Sequence, residues 1–449
     1  MSKGLMLFIS LLLSVSFVCT QANPVLADGT EMLGMPGISI MPGTGVAVGG
    51  TGLCTQPGSI EVAVPSGVTV KQVLLYWEGS SATNPSGDNT VKVSATSSCE
   101  TSGTDVIGTS IGGPTFTGNR STITYRADIT RLSLVAAGGV STVYVCGMDF
   151  DLNGITGQCT GSNDPASVRD NGAGILAVYD DGTNALSVQI RDGNDYAFCQ
   201  NQRGINGHPE LLVTLPQTFT FAPSLMPRNG DLSLFASSVA GTLSGSGPNR
   251  PSRIQINVGG DTLLYDNLLN SVDGPEWDTL KLTFPVPSGA SSVTVQAISL
   301  DDATENLCAS LVWNTAALSL AAFQGCTPGY WKQMQHFDSW TPPYDPTDRF
   351  SSIFGRTITI RWGSSGRPVN VTNPTLLQAL DANGGGINAL ARSAVAALLN
   401  AASLLINPTP AFDTPAEVIA AFQAAFDSGS FEALKNQFDA SNNAGCPLN

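Results

Sequence analysis

Histidine is nearly absent from this 449-residue chain, which has only His208 and His336. Charge of either sign is scarce at 12% of residues, and 20 Lys+Arg face 35 Asp+Glu, a net charge of −15. So small a basic complement excludes nucleic acid and anionic membrane as partners. Two histidines leave few general bases. No Gly-x-Ser-x-Gly elbow, zinc-protease helix motif or Cys-x-x-Cys pair occurs. Glutamate is rare too, 9 residues against 26 aspartates, and most acids stand in turn-like contexts. No enzymatic activity is expected on these grounds. Two carboxylates brought together by folding would still leave room for a hydrolase.

Long apolar runs are missing everywhere but the N-terminus. Residues 1–27 read as a secretory signal: Lys3, an apolar run from Leu5 to Val18, and a small residue at Ala27 ahead of Asp28. Ala22 offers an earlier cut. No transmembrane segment is expected in the mature chain, and the C-terminal residues show no anchor. Secretion or display at the cell surface follows. Beyond the signal stand Cys54, Cys99, Cys146, Cys159, Cys199, Cys308, Cys326 and Cys446, an even set that argues for disulfides. Grouping by neighbourhood pairs Cys54 with Cys99, Cys146 with Cys159, Cys199 with Cys308 and Cys326 with Cys446.

Glycine, serine, threonine, asparagine and aspartate fill the space between short strand signals. Ser59–Val64, Val70–Trp77, Thr90–Ala95, Ser121–Tyr125 and Ser141–Cys146 are strand-like, with turns such as Asp180-Asp181-Gly182 between them. A second set runs through Leu211–Leu215, Thr218–Phe221, Asp231–Ser237, Arg253–Val258, Thr279–Phe284, Ser292–Ala297 and Ser310–Leu320. This spacing predicts a mainly β chain with one or two antiparallel, jelly-roll-like β-sandwiches. Residues 28–195 form the first and 196–324 the second, and a polar connector runs from Asp192 to Pro209.

After Gly325 the period changes to that of helices, marking a small α-helical module over 325–449. Asn373-Pro374, the apolar face of Asn388–Ser403, and Thr414-Pro415-Ala416-Glu417 are its helix signals. Gly-Cys-Thr-Pro-Gly-Tyr-Trp-Lys at 325–332, Phe337-Asp338-Ser339-Trp340, and the run from Ala389 to Ala402 resemble a module that recurs in secreted bacterial proteins. Relatives of that module commonly carry His where this chain has Ser393, so any role of that His is absent here. Val73–Gly79, Tyr125–Thr130 and Gly172–Asp181 resemble, more loosely, β-rich domains of adhesin-like surface proteins. That resemblance implies an extracellular sandwich rather than a reaction.

Candidate sites are few. Asp149, Asp151 and Asn153, followed by Gly154, have the opening spacing of a calcium loop, which Asp164 or Asp170 would complete. Asp301 and Asp302 form a second acidic cluster open to calcium. The alternative for both is a solvated, self-capping turn. Tyr330, Trp331 and Trp340 are candidates for ligand binding by stacking, or for a lid over the helices. The expected role is a secreted structural or adhesion protein, calcium-stabilised, with an extracellular partner or a polysaccharide. A carbohydrate-binding module is the alternative, and a hydrolase with a carboxylate site the third.

Overall fold

The computed structural model describes residues 25–27, 29–117, 120–159, 168–182, 186–199, 209–224, 227–239, 251–302, 307–308, 310–320, 323–363, 368–406, 408–446 and 448. Its strands begin with β1 (Val25–Leu26), β2 (Gly45–Gly52), β3 (Gly58–Val64), β4 (Thr69–Ser81), β5 (Thr90–Ser94), β6 (Thr104–Ile107), β7 (Thr109–Phe116), β8 (Ser121–Asp128), β9 (Gly139–Cys146) and β10 (Val168–Asp180). There follow β11 (Leu186–Phe198), β12 (Gln217–Thr220), β13 (Arg228–Ser237), β14 (Ser252–Val258), β15 (Asp261–Asp266), β16 (Trp277–Val286), β17 (Ser292–Ser299), β18 (Asp301–Asp302), β19 (Leu307–Cys308) and β20 (Ser310–Leu320).

Burial along each strand sorts the larger sheets into stacked layers. In β3, Ile60, Val62 and Val64 are buried and Ser59, Glu61 and Ala63 exposed, which is the pattern of a sheet with one face on a core and one in water. It belongs to a first outer sheet, β3-β9-β5-β6. By contrast β4 is buried without a break from Gln72 onward, because its sheet, β1-β7-β8-β4-β10-β2, is covered on both faces. Ile60, Val62 and Val143 of the outer sheet meet Leu75, Trp77 and Ile175 of this first inner sheet. The pattern repeats in the second half. The second inner sheet is β11-β20-β13-β16 and the second outer sheet β12-β17-β14-β15. Leu232, Leu234 and Phe284 pack there against Ile254, Ile256 and Val295.

The two inner sheets face each other, so the sandwiches are stacked back to back. Val48, Leu74, Tyr76, Leu176 and Val178 on one side meet Val188, Ile190, Phe235, Trp277 and Ala317 on the other. Two glycines of β10 permit this approach. A Cβ on Gly174 would lie 2.8 Å from the Phe235 ring, and one on Gly172 2.8 Å from Trp277. The expected boundary at 195 falls inside β11, which pairs with β20 from Leu186 to Phe198 and so belongs to the second sandwich along its whole length. The strand expected at Leu211–Leu215 is a 3-10 turn at Pro209–Leu212 with a single bridge from Val213 to Ile298.

Two expected disulfides are corrected. Cys99 joins Cys146 and Cys54 joins Cys159. Sheet order explains the change. β9 pairs with β5 with Cys146 opposite Lys92, beside the helix α1 (Cys99–Ser102) that follows β5. Cys159 bridges to Arg169 at the start of β10, and the adjacent end of β10 pairs with Gly52 of β2, just before Cys54. Cys199 is disulfide-bonded as well, and the Cys308 side chain lies outside the described residues.

Cys326 and Cys446 close the C-terminal module as expected. It contains α2 (Pro328–Trp331), α3 (Phe350–Phe354), α4 (Leu376–Leu380), α5 (Ile387–Ala402), α6 (Pro415–Ser428) and α7 (Phe431–Asn442). The capping box at Thr414 and Glu417 forms, and Gly429 ends α6 in the left-handed region at φ 73°. The first cap is displaced: Thr375, not Asn373, caps α4, with Gln378 completing its box. Asn400 of α5 is the hub. Its Oδ1 accepts from Cys326 N at 2.8 Å and Trp331 Nε1 at 3.0 Å, while its Nδ2 donates to Cys326 O and to Asn442 Oδ1.

Candidate functional site between the inner sheets

Where the apolar contact between the inner sheets ends, the gap becomes polar. In β4, β8 and β10 the residues after Tyr76 on this face are Glu78 and Ser80, flanked by Thr124 and Thr122 on β8 and by Arg169 on β10. A bulge between Arg169 and Gly172 lets Asn171 turn toward Glu78, and Asn171 Nδ2 donates to Glu78 Oε2 at 2.7 Å. Arg169 pairs with Glu276, which precedes β16 and sits in the left-handed region at φ 65°. Nearby, Arg126 pairs with Asp192 of β11, and Tyr76 Oη donates to the same carboxylate at 3.2 Å. Asn194 accepts from Thr124 and donates to Thr115 and Thr122, and Asn314 of β20 donates to Thr124 at 3.0 Å.

These groups are out of water: Glu78, Asn171, Ser237 and Asn314 are 0% exposed and Glu276 4%. Burial pushes the Glu78 carboxyl up to about 7, and Glu276 adds to the rise. Ser237, Asn171 and Arg169 oppose it. Burial raises Asp192 as well, against the pull of Arg126. Several buried atoms have no partner in this layer, among them Asn171 Oδ1, Glu276 Oε2, Asn314 Oδ1 and Thr315 Oγ1. The ion pairs hold the sandwiches in register, and Glu78 is an acid that changes charge near neutral pH.

The calcium residues are not gathered into one ligand set. Asp149 Oδ2 accepts from Gly154 N at 2.6 Å. Asp151 Oδ1 accepts from Ser81 and from Thr83 Oγ1, and Asn153 Oδ1 accepts from Ile155 N and Gln158 Nε2. Asp170, the other residue expected to complete the shell, instead anchors the loop by accepting from Phe150, Gly157 and Gln158, and burial raises it to about 7. These are the bonds of a self-capped turn, except that the other Asp149 oxygen, Oδ1, is buried with no partner. No group of three or more His, Cys, Asp or Glu among the described residues is placed to hold a metal ion. Asp164 lies outside the described residues. Asp301 and Asp302 form β18 and pair with β19, and their side chains lie outside them as well.

Trp331 and Trp340 are 0% and 7% exposed, bonded through Nε1 to Asn400 Oδ1 and to Trp331 O respectively. Both belong to the hydrophobic core of the C-terminal module. Tyr330 is half-buried, with its ring stacked 4.0 Å from His336.

The polar layer went unread in the sequence because Glu78, Arg169 and Asn171 stand next to strong strand residues. The available signal was an ionisable residue, Glu78, set directly after the unbroken apolar run Val73–Trp77.

No family model and no curated protein matches the chain. Among solved structures it is similar to a peptide-N(4)-(N-acetyl-β-D-glucosaminyl)asparagine amidase, at 11% identity over 60% of this chain and 90% of that one, with a TM-score of 0.21. An infectious bursal disease virus structure gives 13% over 64% and 75%, with a TM-score of 0.20. A plant receptor-like kinase gives 10% over 64% and 90%, with a TM-score of 0.17. The expectation that the chain is not an enzyme is withdrawn, because amidases stand among these structures. Likenesses this distant carry no argument for an activity. The resemblance to adhesin-like domains finds no family support in these comparisons.

Proposed function

We propose that the chain works outside the cell as a rigid structural or adhesion scaffold that meets an extracellular protein or polysaccharide through its loops. The observation that carries this reading is the seam between the inner sheets. A buried apolar patch and two buried ion pairs join the sandwiches there, and this fixes the loops of one relative to the other. Disulfides at Cys54–Cys159, Cys99–Cys146 and Cys326–Cys446 support an oxidising surrounding. No helix among the described residues is long and apolar enough to cross a membrane.

Beads coated with the purified full chain provide the test. The scaffold reading expects them to be retained on the producing cells, or on polysaccharide extracted from them, through repeated washing. Retention no better than albumin-coated beads, together with recovery of the native protein from the cytoplasmic fraction, overturns it.

A further inference from the structure

The N-terminal segment straps the two sandwiches together, and its start bears on where the chain is processed. β1 lies parallel to β7, with Val25 opposite Thr115 and Leu26 opposite Phe116, and so covers the edge of the first inner sheet. Ala27 N donates to Phe116 O at 2.9 Å, and Ala27 packs with Tyr196, Leu211 and Val312 of the second sandwich. Leu33 then enters that sandwich's core. Gly34 exchanges both backbone hydrogen bonds with Asp192, at 2.8 and 3.0 Å. The segment returns to the first sandwich where Met41 N donates to Gln72 Oε1 and Thr44 N to Tyr179 O. The strap thus crosses the seam and comes back, and its outer anchor is the stretch 25–27.

A signal cut after Ala27 would remove that anchor, leave the last turn of β7 an open edge, and empty the place of Ala27 among Tyr196, Leu211 and Val312. A cut after Ala22 keeps all of it. Thr20 and Ala22 supply small residues three and one positions before that bond. We propose that the chain is processed between Ala22 and Asn23, by a signal peptidase that adds water across this peptide bond, leaving a carboxylate on Ala22 and an ammonium on Asn23. Val25, Leu26 and Ala27, which make these contacts, then stay in the mature protein.

The proposal rests on the extracellular reading, and the test separates the two. The protein is collected from outside the producing cells and its N-terminus read by Edman degradation and intact mass. A first residue of Asn23 is expected. A first residue of Asp28 overturns the proposal while leaving secretion intact, whereas an uncleaved chain confined to the cytoplasm overturns the extracellular reading itself. As a second arm, disulfide-bonded chains beginning at Asn23 and at Asp28 are melted side by side. The shorter chain should melt lower by about 2 °C or more, and equal melting would remove the structural reason for the cut.

Discussion

Replacing Glu78 with Gln should flatten the pH dependence of stability in a direction fixed by the burial of that side chain. The carboxyl is raised from 4.5 to about 7, chiefly because it is fully buried. The folded state therefore holds its proton more tightly than the unfolded chain. The resulting stability is fully present below pH 4.5 and is lost as pH rises through about 7. A shift of this size corresponds to about 3 kcal/mol. Gln keeps an oxygen to accept from Asn171 Nδ2 and carries its own N–H groups toward Ser237, as the protonated acid would. At pH 5 the variant should match the wild type within about 1 kcal/mol, and at pH 8 it should be more stable by up to about 3 kcal/mol. Asp170 and Asp278 at about 7 and Asp195 at about 8, all raised by burial, slope the same way in both proteins. The difference between the curves therefore isolates Glu78. Urea unfolding followed by tryptophan fluorescence at pH 5, 6, 7 and 8 is the assay. Parallel curves for the two proteins would falsify the assignment.

Other outcomes follow from the same layers. Arg126→Met leaves Asp192 buried without its cation and should cost about 3–5 kcal/mol in urea unfolding, and adding Asp192→Asn should recover part of it; a loss near zero would mean the pair is not buried as described. Asn400→Leu strands the Trp331 Nε1 and Cys326 N donors, with an expected loss of about 2–4 kcal/mol in the C-terminal module; an unchanged melt counts against the hub. Calcium should leave the melting temperature unchanged relative to chelator, since the donors around Asp149 and Asp151 are protein groups. A rise with calcium that disappears in Asp149→Ala would restore the cation.

Outer strands were legible because alternation survives where one face meets water, as along β3, β14 and β17. Inner strands β4, β8, β13, β16 and β20 were legible as strands but not as a seam, whereas β2 and β7 went unread and β11 was taken in part for the connector at Asp192–Pro209. Buried on both faces, β4 and β20 lose the alternation that would say which way they point. The glycines that let Phe235 and Trp277 come close to β10 resemble ordinary turn punctuation in a Gly-rich chain. Cysteine pairing followed strand order in the sheets, which sequence proximity does not reveal: Cys99 lies 47 residues from its partner Cys146, and Cys54 lies 105 residues from Cys159. Helix caps fared better because a capping box is local, as at Thr414 and Glu417. The spacing of the acidic loop at Asp149 does not reveal that Ser81 and Thr83 donate to Asp151 Oδ1.

The central claim is that the two sandwiches behave as one body across the seam. Native-state hydrogen exchange on the disulfide-bonded full chain tests it directly. The backbone amides of β4 and β10 and those of β13 and β20 should exchange through the same global opening, with matching free energies as denaturant rises. If β13 and β20 exchange through a separate, less costly opening while β4 and β10 stay protected, the sandwiches are held independently and the rigid scaffold is contradicted.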